Sequence, residues 1–298
     1  MWGEPVSEAS WPGSKGSDPI RVDAEVIRNA AEGGACIRLA LEVPGWPGFE
    51  PGQFAMLSPG PRGAAARSDP LLPRPMAVFR TRVENGRSVV EILYKVVGRG
   101  TALLSEALPG QRVGIVGPLG RAFPAPGPQE RVIVVAGGTG IASVFELCAR
   151  LARSQHVEVL LGARNAADLM AVRDFEALDL PISIATDDGS NGQVGLVTDL
   201  LEAALERFGT EDHSAPGPDA APMRLRVFSC GPTAMMRRCA QIATEAGVPC
   251  VVALENAMAC GFGVCLGCAA PLKRGGYALV CREGPAFDAG AIDWERMP

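Results

Sequence analysis

Aromatic side chains are scarce in this chain. Phe, Tyr and Trp supply 5% of its 298 residues, and two of these are Tyr. Its cores must therefore rest on Val, Leu, Ile and Ala, within a hydrophobic fraction of 47% that is ample for packing. A surplus of positive charge is also missing: 28 Lys and Arg against 33 Asp and Glu leave a net charge of −5. Such a chain has no global attraction for nucleic acid or an anionic membrane, and neither is expected as a partner. No run approaches the roughly 20 apolar residues that span a bilayer. The opening MWGEPVSEASWPGSKGSDP lacks the basic start and apolar stretch of a signal peptide, so a cytoplasmic location is expected. Histidine is limited to His156 and His213. Cysteine is plentiful by contrast, and its nine copies are an odd number. In a reducing compartment, clustered thiols point to metal or redox chemistry rather than to a disulfide framework.

The pattern along the chain divides it into four parts. Residues 1–19, rich in Gly, Pro and Ser, read as a disordered leader. Residues 20–126 carry short apolar runs separated by Gly and Pro, among them IRVDAEVIRNA, ACIRLALEV, QFAMLSP, RPMAVFRTRV, SVVEILYKVV and RVGIVGPLG. These predict a closed antiparallel β-barrel of six strands. Residues 127–253 alternate continuous apolar strands with helical periods: RVIVVAGG, TGIASVFELCARLARS, VEVLLGA, AADLMAVRDFEAL, ISIATDD, LVTDLLEAALERF, LRVFSCGP, TAMMRRCAQIATEAG and CVVAL. That alternation predicts a doubly wound parallel α/β domain. Within it, 209–222 reads as a surface loop insertion. Residues 254–298 form a small cysteine-rich tail.

Two turns of the α/β part suit a nucleotide. Gly137, Gly138, Thr139 and Gly140 join a strand to a helix, where glycines admit a pyrophosphate close to unpaired helical N–H groups. Ser143 stands where the dinucleotide fingerprint usually has its third glycine, and a plain tight turn is the alternative. Cys230, Gly231 and Pro232 end a later strand at the same carboxyl edge, where open α/β sheets bind ligands; alternatively Cys230 is a small buried hydrophobe. Asp187-Asp188-Gly189 at that edge reads as a turn. Arg164 could meet a 2′-phosphate or be solvated, which leaves NAD against NADP open.

In the first half, Arg74 before Pro75 offers a bidentate phosphate contact on a fixed backbone. Tyr94, Lys95, the turn from Gly98 to Gly100, and Thr101 opening a short helix offer a second phosphate-friendly helix start; for the Arg-Pro pair a plain edge strand is the alternative. A barrel followed by a doubly wound domain with GGTGIA and a late CGP resembles the ferredoxin-NADP reductase superfamily. The resemblance implies flavin bound by the barrel and a nicotinamide dinucleotide by the α/β domain. It sets Arg74, Pro75, Met76 and Ala77 on the family's flavin-contacting Arg-x-x-Ser strand, with Ala77 in the serine position.

The tail holds Cys260, Cys265, Cys268 and Cys281, spaced C-x4-C-x2-C-x12-C. That is the plant-type arrangement for a [2Fe–2S] cluster, and the interleaved Gly261, Gly263 and Gly267 let backbone approach the sulfurs. A structural zinc site and plain reduced thiols are the alternatives. Cys36, Cys148, Cys239 and Cys250 sit in apolar patterns and read as core. With PGQFAML, RPMAVF, LYKVVGRGTALLS, VVAGGTGIAS, TDDGSNGQVGLVTDLL, FSCGPTAMM, LENAMACGFGVCLGC and CREGPAFDA, the chain closely resembles the electron-transfer subunits of two-subunit, NAD-dependent bacterial dihydroorotate dehydrogenases.

That resemblance implies FAD, a [2Fe–2S] cluster and NAD. It also implies an FMN-containing catalytic partner, in a heterotetramer of two copies each, serving pyrimidine biosynthesis. It assigns Arg74–Ala77, Leu93–Lys95, Gly100 and Thr101 to FAD. Gly137–Gly140 and Cys230–Pro232 go to the dinucleotide, and the four tail cysteines to the cluster. It asks for no general acid or base, so no catalytic side chain is expected. Two other functions fit the same motifs: a flavin/iron–sulfur reductase subunit of ferredoxin-NADP reductase, sulfide dehydrogenase or hydrogenase type, and a zinc-stabilised non-enzymatic binding protein.

Overall fold

A computed structural model describes residues 18–60, 72–153, 156–210 and 223–297. Nearly all of the expected leader and most of the 209–222 insertion lie outside these residues.

The first part is a curled antiparallel sheet of seven strands: β1 (Ile20–Gly33), β2 (Cys36–Glu42), β3 (Phe54–Ser58), β4 (Arg74–Ala77), β5 (Arg80–Glu84), β6 (Arg87–Lys95) and β7 (Arg112–Leu119). Helix α1 (Arg99–Ser105) lies between β6 and β7. The strand order is β4-β3-β7-β1-β2-β6-β5. The count differs from the six expected because RPMAVFRTRV is not one strand. It breaks at Val78–Phe79: its first half pairs with β3, Met56 opposite Pro75, and its second with β6, Arg80 opposite Glu91. Val78 N then donates to Gln53 O and Phe79 N to Glu91 O. One run therefore serves both ends of the strand order, and the sheet curls to allow it. Its interior is apolar, with Leu39, Leu41, Leu57, Val90 and Ile92 fully buried.

The second part holds β8 (Glu130–Gly137), α2 (Gly140–Leu151), β9 (Val157–Ala163), α3 (Val172–Glu176), β10 (Ile182–Thr186), β11 (Gln193–Val194), α4 (Val197–Thr210), β12 (Arg224–Cys230), α5 (Thr233–Glu245) and β13 (Cys250–Ala253). The tail adds β14 (Ala269–Pro271), β15 (Tyr277–Leu279), α6 (Val280–Glu283) and β16 (Ala286–Asp288). Continuous apolar strands such as ERVIVVAG are buried on both faces. Val132, Val134 and Ala136 meet α2 and α3; Ile133 and Val135 meet α4 and α5.

The sheet order is β11-β10-β9-β8-β12-β13-β16. It is mixed rather than wholly parallel, because β16 runs antiparallel to β13 with Phe287 opposite Val252. All four residues of β13 are buried, and an apolar edge strand needs a cover; the returning tail supplies it.

The expected helix AADLMAVRDFEAL is likewise broken. A 3-10 turn spans Ala166–Asp168, Ala171 takes φ +57°, and only Val172–Glu176 is α-helical. The cause is docking on the curled sheet. Leu169 and Met170 bury into the shared core, and Ala171 N donates to Glu32 Oε1 at 3.1 Å.

The same face joins the two sheets. Phe79 of the first stacks on Phe145 of α2 at 4.2 Å, and Phe145 meets Phe175 edge-on at 5.1 Å. Around them Arg38 pairs with Glu32 at 2.6 Å and Asp174 at 2.5 Å. Arg80 pairs with Glu91 and Asp174, each at 2.7 Å. The Arg38 guanidinium holds the Glu32 carboxyl below the usual carboxylate range, against burial. The network ties the two parts together, because Asp174 of α3 accepts from Arg38 and Arg80 of the curled sheet and Glu32 of that sheet accepts from Ala171 N as well as Arg38.

Candidate functional site

A cleft of about 310 Å³ opens between the two sheets. Its first wall comes from β4 and the end of β6: Arg74, Pro75, Met76, Ala77, Leu93, Tyr94 and Lys95 all line it, as do Val97 and Thr101. Arg74 lies against the start of α1 so closely that a Cβ on Gly100 would sit 2.5 Å from its Nε. The guanidinium also donates from Nη1 to Leu72 O at 2.5 Å. Thr101 braces the loop beneath: its Oγ1 accepts from Val97 N at 3.0 Å and Gly98 N at 3.1 Å and donates to Gly98 O at 2.8 Å. The loop is thus preformed. Lys95 is paired to Asp168 at 2.7 Å, and that bond holds Asp168 below its usual value. The Tyr94 hydroxyl is buried with no hydrogen-bond partner among the described residues, and burial pushes it up.

The second wall belongs to the α/β sheet. Thr139, Ser143 and Cys230 line the cleft, while Gly137, Gly138, Gly140, Gly231 and Pro232 do not. Three of these glycines pack turn on turn behind it. A Cβ on Gly140 would lie 2.5 Å from Gly231 N and closer still to the Cys230 carbonyl. Added Cβ atoms on Gly137 and Gly231 would each meet Met235 at 2.7 Å. Gly138, at φ +55°, faces open space. Arg164 is exposed and pairs with Asp168 at 2.9 Å. Asp188 accepts from Ser190 N at 2.9 Å and Ser190 Oγ at 2.6 Å, the turn that the sequence suggested.

The floor was not singled out as a site by the sequence: Ala253, Leu254, Glu255, Asn256 and Met258 follow β13 into the cleft. The available signal was their position just past the carboxyl end of a strand. Glu255 opens to the cleft mouth, yet protein atoms crowd it, and that burial raises its carboxyl above the ordinary range. The Thr139 hydroxyl donates to both its oxygens at 3.4 Å and pulls the other way. Cys230 Sγ donates to Ala253 O at 3.4 Å. Burial pushes its thiol up, and the Glu255 charge adds to that.

Two residues beyond Met258 the cysteine loop begins. Backbone N–H groups of Cys265, Phe262 and Val264 point at the Cys260 sulfur and, against burial, bring it down to about 6. Gly261 and Gly263 have φ +83° and +87°, and a Cβ on Gly261 would meet Met56 of β3 at 2.6 Å. The β14–β15 hairpin returns the chain so that Cys268 and Cys281, thirteen positions apart, lie with their sulfurs 3.2 Å apart. Burial and Cys268 push Cys281 up to about 12. All four cysteines are free thiols. No three His, Cys, Asp or Glu side chains among the described residues close on one point as a single-ion site requires. The sulfurs fall instead into two pairs, 260 with 265 and 268 with 281. A two-iron cluster takes two thiolates per iron, and the donor set fits that division. Cys268 and Cys281 are buried and Cys265 is exposed, fringed by exposed Phe262, Val264 and Leu266.

The family model for the iron–sulfur cluster binding domain of dihydroorotate dehydrogenase B matches residues 255–293. The "Dihydroorotate dehydrogenase B (NAD(+)), electron transfer subunit" of Desulforamulus reducens is 36% identical over 249 residues, covering 82% of this chain and 87% of the relative. A probable subunit of the same description from Methanopyrus kandleri is 36% identical over 267 residues, 89% of each. Among solved structures, a NADH-dependent reduced ferredoxin-NADP oxidoreductase studied for flavin-based electron bifurcation superposes with a TM-score of 0.75 at 27% identity, covering 92% of this chain and 91% of that one. The ferredoxin reductase of carbazole 1,9a-dioxygenase, at 21% identity and TM-score 0.62 over 79% of this chain and 68% of that one, shares the fold.

Proposed function

The chain belongs to the family of dihydroorotate dehydrogenase B (NAD(+)) electron transfer subunits, and we propose from that premise the work of each of its parts. It is an oxidoreductase subunit that relays electrons between a dihydroorotate-oxidising partner and NAD, through a [2Fe–2S] cluster and FAD. The partner contains FMN, pairs with this chain as a heterotetramer of two copies each, and acts in the cytoplasm in pyrimidine biosynthesis. One observation carries the reading: the floor of the cleft between the sheets leads directly along the chain into the cysteine loop, with Met258 lining the cleft and Cys260 two residues on.

Bound flavin and cluster supply the exchange between electron pairs, which nicotinamide requires, and single electrons, which iron–sulfur centres carry. The chain's residues bind and orient. Arg74, with the loop braced by Thr101, takes the flavin's phosphates, and Pro75–Ala77 and Leu93–Lys95 shape the wall for its ring. The Gly137–Gly140 and Cys230–Pro232 turns form the dinucleotide site. Cys260, Cys265, Cys268 and Cys281 hold the cluster, with backbone N–H groups at the Cys260 sulfur stabilising its thiolate. The apolar fringe of Phe262, Val264 and Leu266 beside exposed Cys265 suits a protein partner rather than water. The parts divide at 1–19, 20–126, 127–253 and 254–298, with β16 of the tail lent to the nucleotide sheet.

The test is reconstitution. The purified chain, mixed with a dihydroorotate-oxidising FMN subunit, gives dihydroorotate-dependent NAD reduction. Cys265→Ser abolishes this coupling and the cluster's absorption while NADH still bleaches the flavin. Coupling that survives Cys265→Ser refutes the relay. A second reading, a reductase subunit serving another one-electron partner, draws on the 27%-identical NADH-dependent ferredoxin-NADP oxidoreductase. Turnover with ferredoxin and none with the FMN subunit selects it.

A further inference from the structure

Two cations line the cleft, Arg74 and Lys95, and the structure treats them differently. Arg74 gives Nη1 to a backbone carbonyl, Leu72 O, which leaves its charge uncancelled. Lys95 gives Nζ to a carboxylate, Asp168 Oδ1, at 2.7 Å. The two partners come from opposite sides. Lys95 ends β6 of the curled sheet, and Asp168 ends the 3-10 turn that follows β9 of the nucleotide sheet. Lys95 lines the cleft and Asp168 stands behind it. Three further contacts fix that carboxylate. Its other oxygen accepts from Arg164 Nε at 3.1 Å. The Asp168 N–H donates to Asn165 Oδ1 at 3.0 Å. The turn between β1 and β2 leaves it room: a Cβ on Gly34, at φ +52°, would stand 2.8 Å from Ala167 O and 3.3 Å from Asp168 Oδ1. The Lys95 and Asp168 side chains are 26% and 14% exposed, so salt screens this pair less than one on the open surface.

We propose that Asp168 is a positioning residue that sets the potential of the flavin: it draws the Lys95 ammonium toward the nucleotide domain and cancels its charge at the flavin wall. This rests on the relay reading given above and deepens its flavin site. The Lys95 side chain then serves Asp168 rather than a flavin phosphate, and Arg74 is left as the cleft's uncancelled cation.

The physical reason is charge. A flavin gains negative charge when it is reduced, so an uncancelled cation beside it favours the reduced form. Nicotinamide is a weak oxidant, and a flavin that must pass hydride to it cannot hold its electrons tightly. A carboxylate lent by the nucleotide domain removes that excess hold without emptying the wall of Lys95. Cys36 stands opposite Lys95 across the β2–β6 ladder. Burial holds its thiol above the ordinary range, so it stays neutral and adds no charge to the pair.

The experiment is a dye-equilibrated redox titration of the FAD-loaded protein, which needs no NADH turnover. It compares wild type with Asp168→Asn, Asp168→Glu, Lys95→Met and the double variant Asp168→Asn with Lys95→Met. At a fixed poise, Asp168→Asn is expected to raise the ratio of reduced to oxidised flavin roughly tenfold, a rise of about 30 mV for a two-electron couple. Asp168→Glu is expected to stay near wild type. Lys95→Met is expected to shift the potential the other way, and combining it with Asp168→Asn is expected to cancel the rise. A merely structural tie would lower stability and leave these potentials alike. Urea unfolding of the flavin-free chain reads the pair independently: the double variant is expected to lose less than the sum of the two single variants. An Asp168→Asn potential equal to wild type, a rise that persists in the double variant, or additive unfolding losses each overturn the proposal. If Asp168→Asn fails to retain FAD, Lys95→Met decides, and an unchanged potential there overturns it. Failure of NADH to bleach the wild type is a different result: it overturns the relay reading, while the dye titration still reads the pair.

Discussion

Gly140→Ala separates helix propensity from tertiary packing, because the two predict opposite signs. Gly140 is the first residue of α2, and replacing glycine by alanine in a helix gains about 1 kcal/mol. The new Cβ, however, would lie 2.5 Å from Gly231 N and closer to the Cys230 carbonyl. Those are backbone atoms, so no rotamer change relieves the contact. Overpacking costs about 1–3 kcal/mol, and the upper end applies where the backbone must move. The net is a loss of about 2 kcal/mol, or a fall in Tm of about 4–8 °C at about 2–4 °C per kcal/mol for a domain of this size. Calorimetry measures it. Peptide-resolved alkylation is the second assay: wild-type Cys230 is buried with a raised thiol and stays unlabelled, whereas displacing the 230–231 turn exposes it. Gly138→Ala is the control. At φ +55° with nothing within 4 Å, it costs about 1–2 kcal/mol of left-handed strain and leaves Cys230 protected. A Gly140→Ala protein with an unchanged or raised Tm and a protected Cys230 refutes the packing argument.

Arg38→Ala strips a buried guanidinium from Glu32, Glu91 and Asp174 and is expected to cost about 3–5 kcal/mol in urea unfolding. Glu32 is depressed in the folded state, so its contribution is complete above the unfolded carboxylate value and is lost as pH falls through the lower folded one. Acid titrations of stability should therefore be shallower in Arg38→Ala, and an unchanged slope would refute the assignment. Arg74→Ala should weaken flavin retention on dialysis, and undiminished flavin content counts against its phosphate role. Val264→Glu with Phe262→Glu should leave cluster absorption intact and reduce co-purification with the FMN subunit; full co-purification would clear the fringe of any docking role.

Much of the fold was legible because it rests on local chemistry. Alternating apolar runs between Gly and Pro gave the curled sheet, and continuous apolar strands between helical periods gave the doubly wound part. Both signals survive in a single sequence because each strand or helix shows its buried face in its own periodicity. The elements whose local pattern differs from their structure are those that long-range contacts override. RPMAVFRTRV has one strand's composition, and it is two strands because β3 and β6 each claim half of it. AADLMAVRDFEAL has helical composition, and docking of Leu169 and Met170 beside Glu32 breaks it. Residues 286–288 are too short to announce a strand, and they became one because β13 needed a cover.

The same division runs through the site. The sequence by itself determined which residues can do chemistry: four cysteines whose spacing sets a loop and a hairpin, glycines at strand-to-helix turns, and Arg74 before a proline. Ligand type and spacing are covalent facts that folding does not alter. Tertiary structure alone decided which of them share a space. It set Thr139 and Cys230 in the cleft wall and put the neighbouring glycines behind it, where the backbones of two turns touch. It brought Glu255 beneath Thr139 although 116 residues separate them. A carboxyl's environment depends on what crowds it from distant parts of the chain, and no local pattern in LENAMAC encodes that.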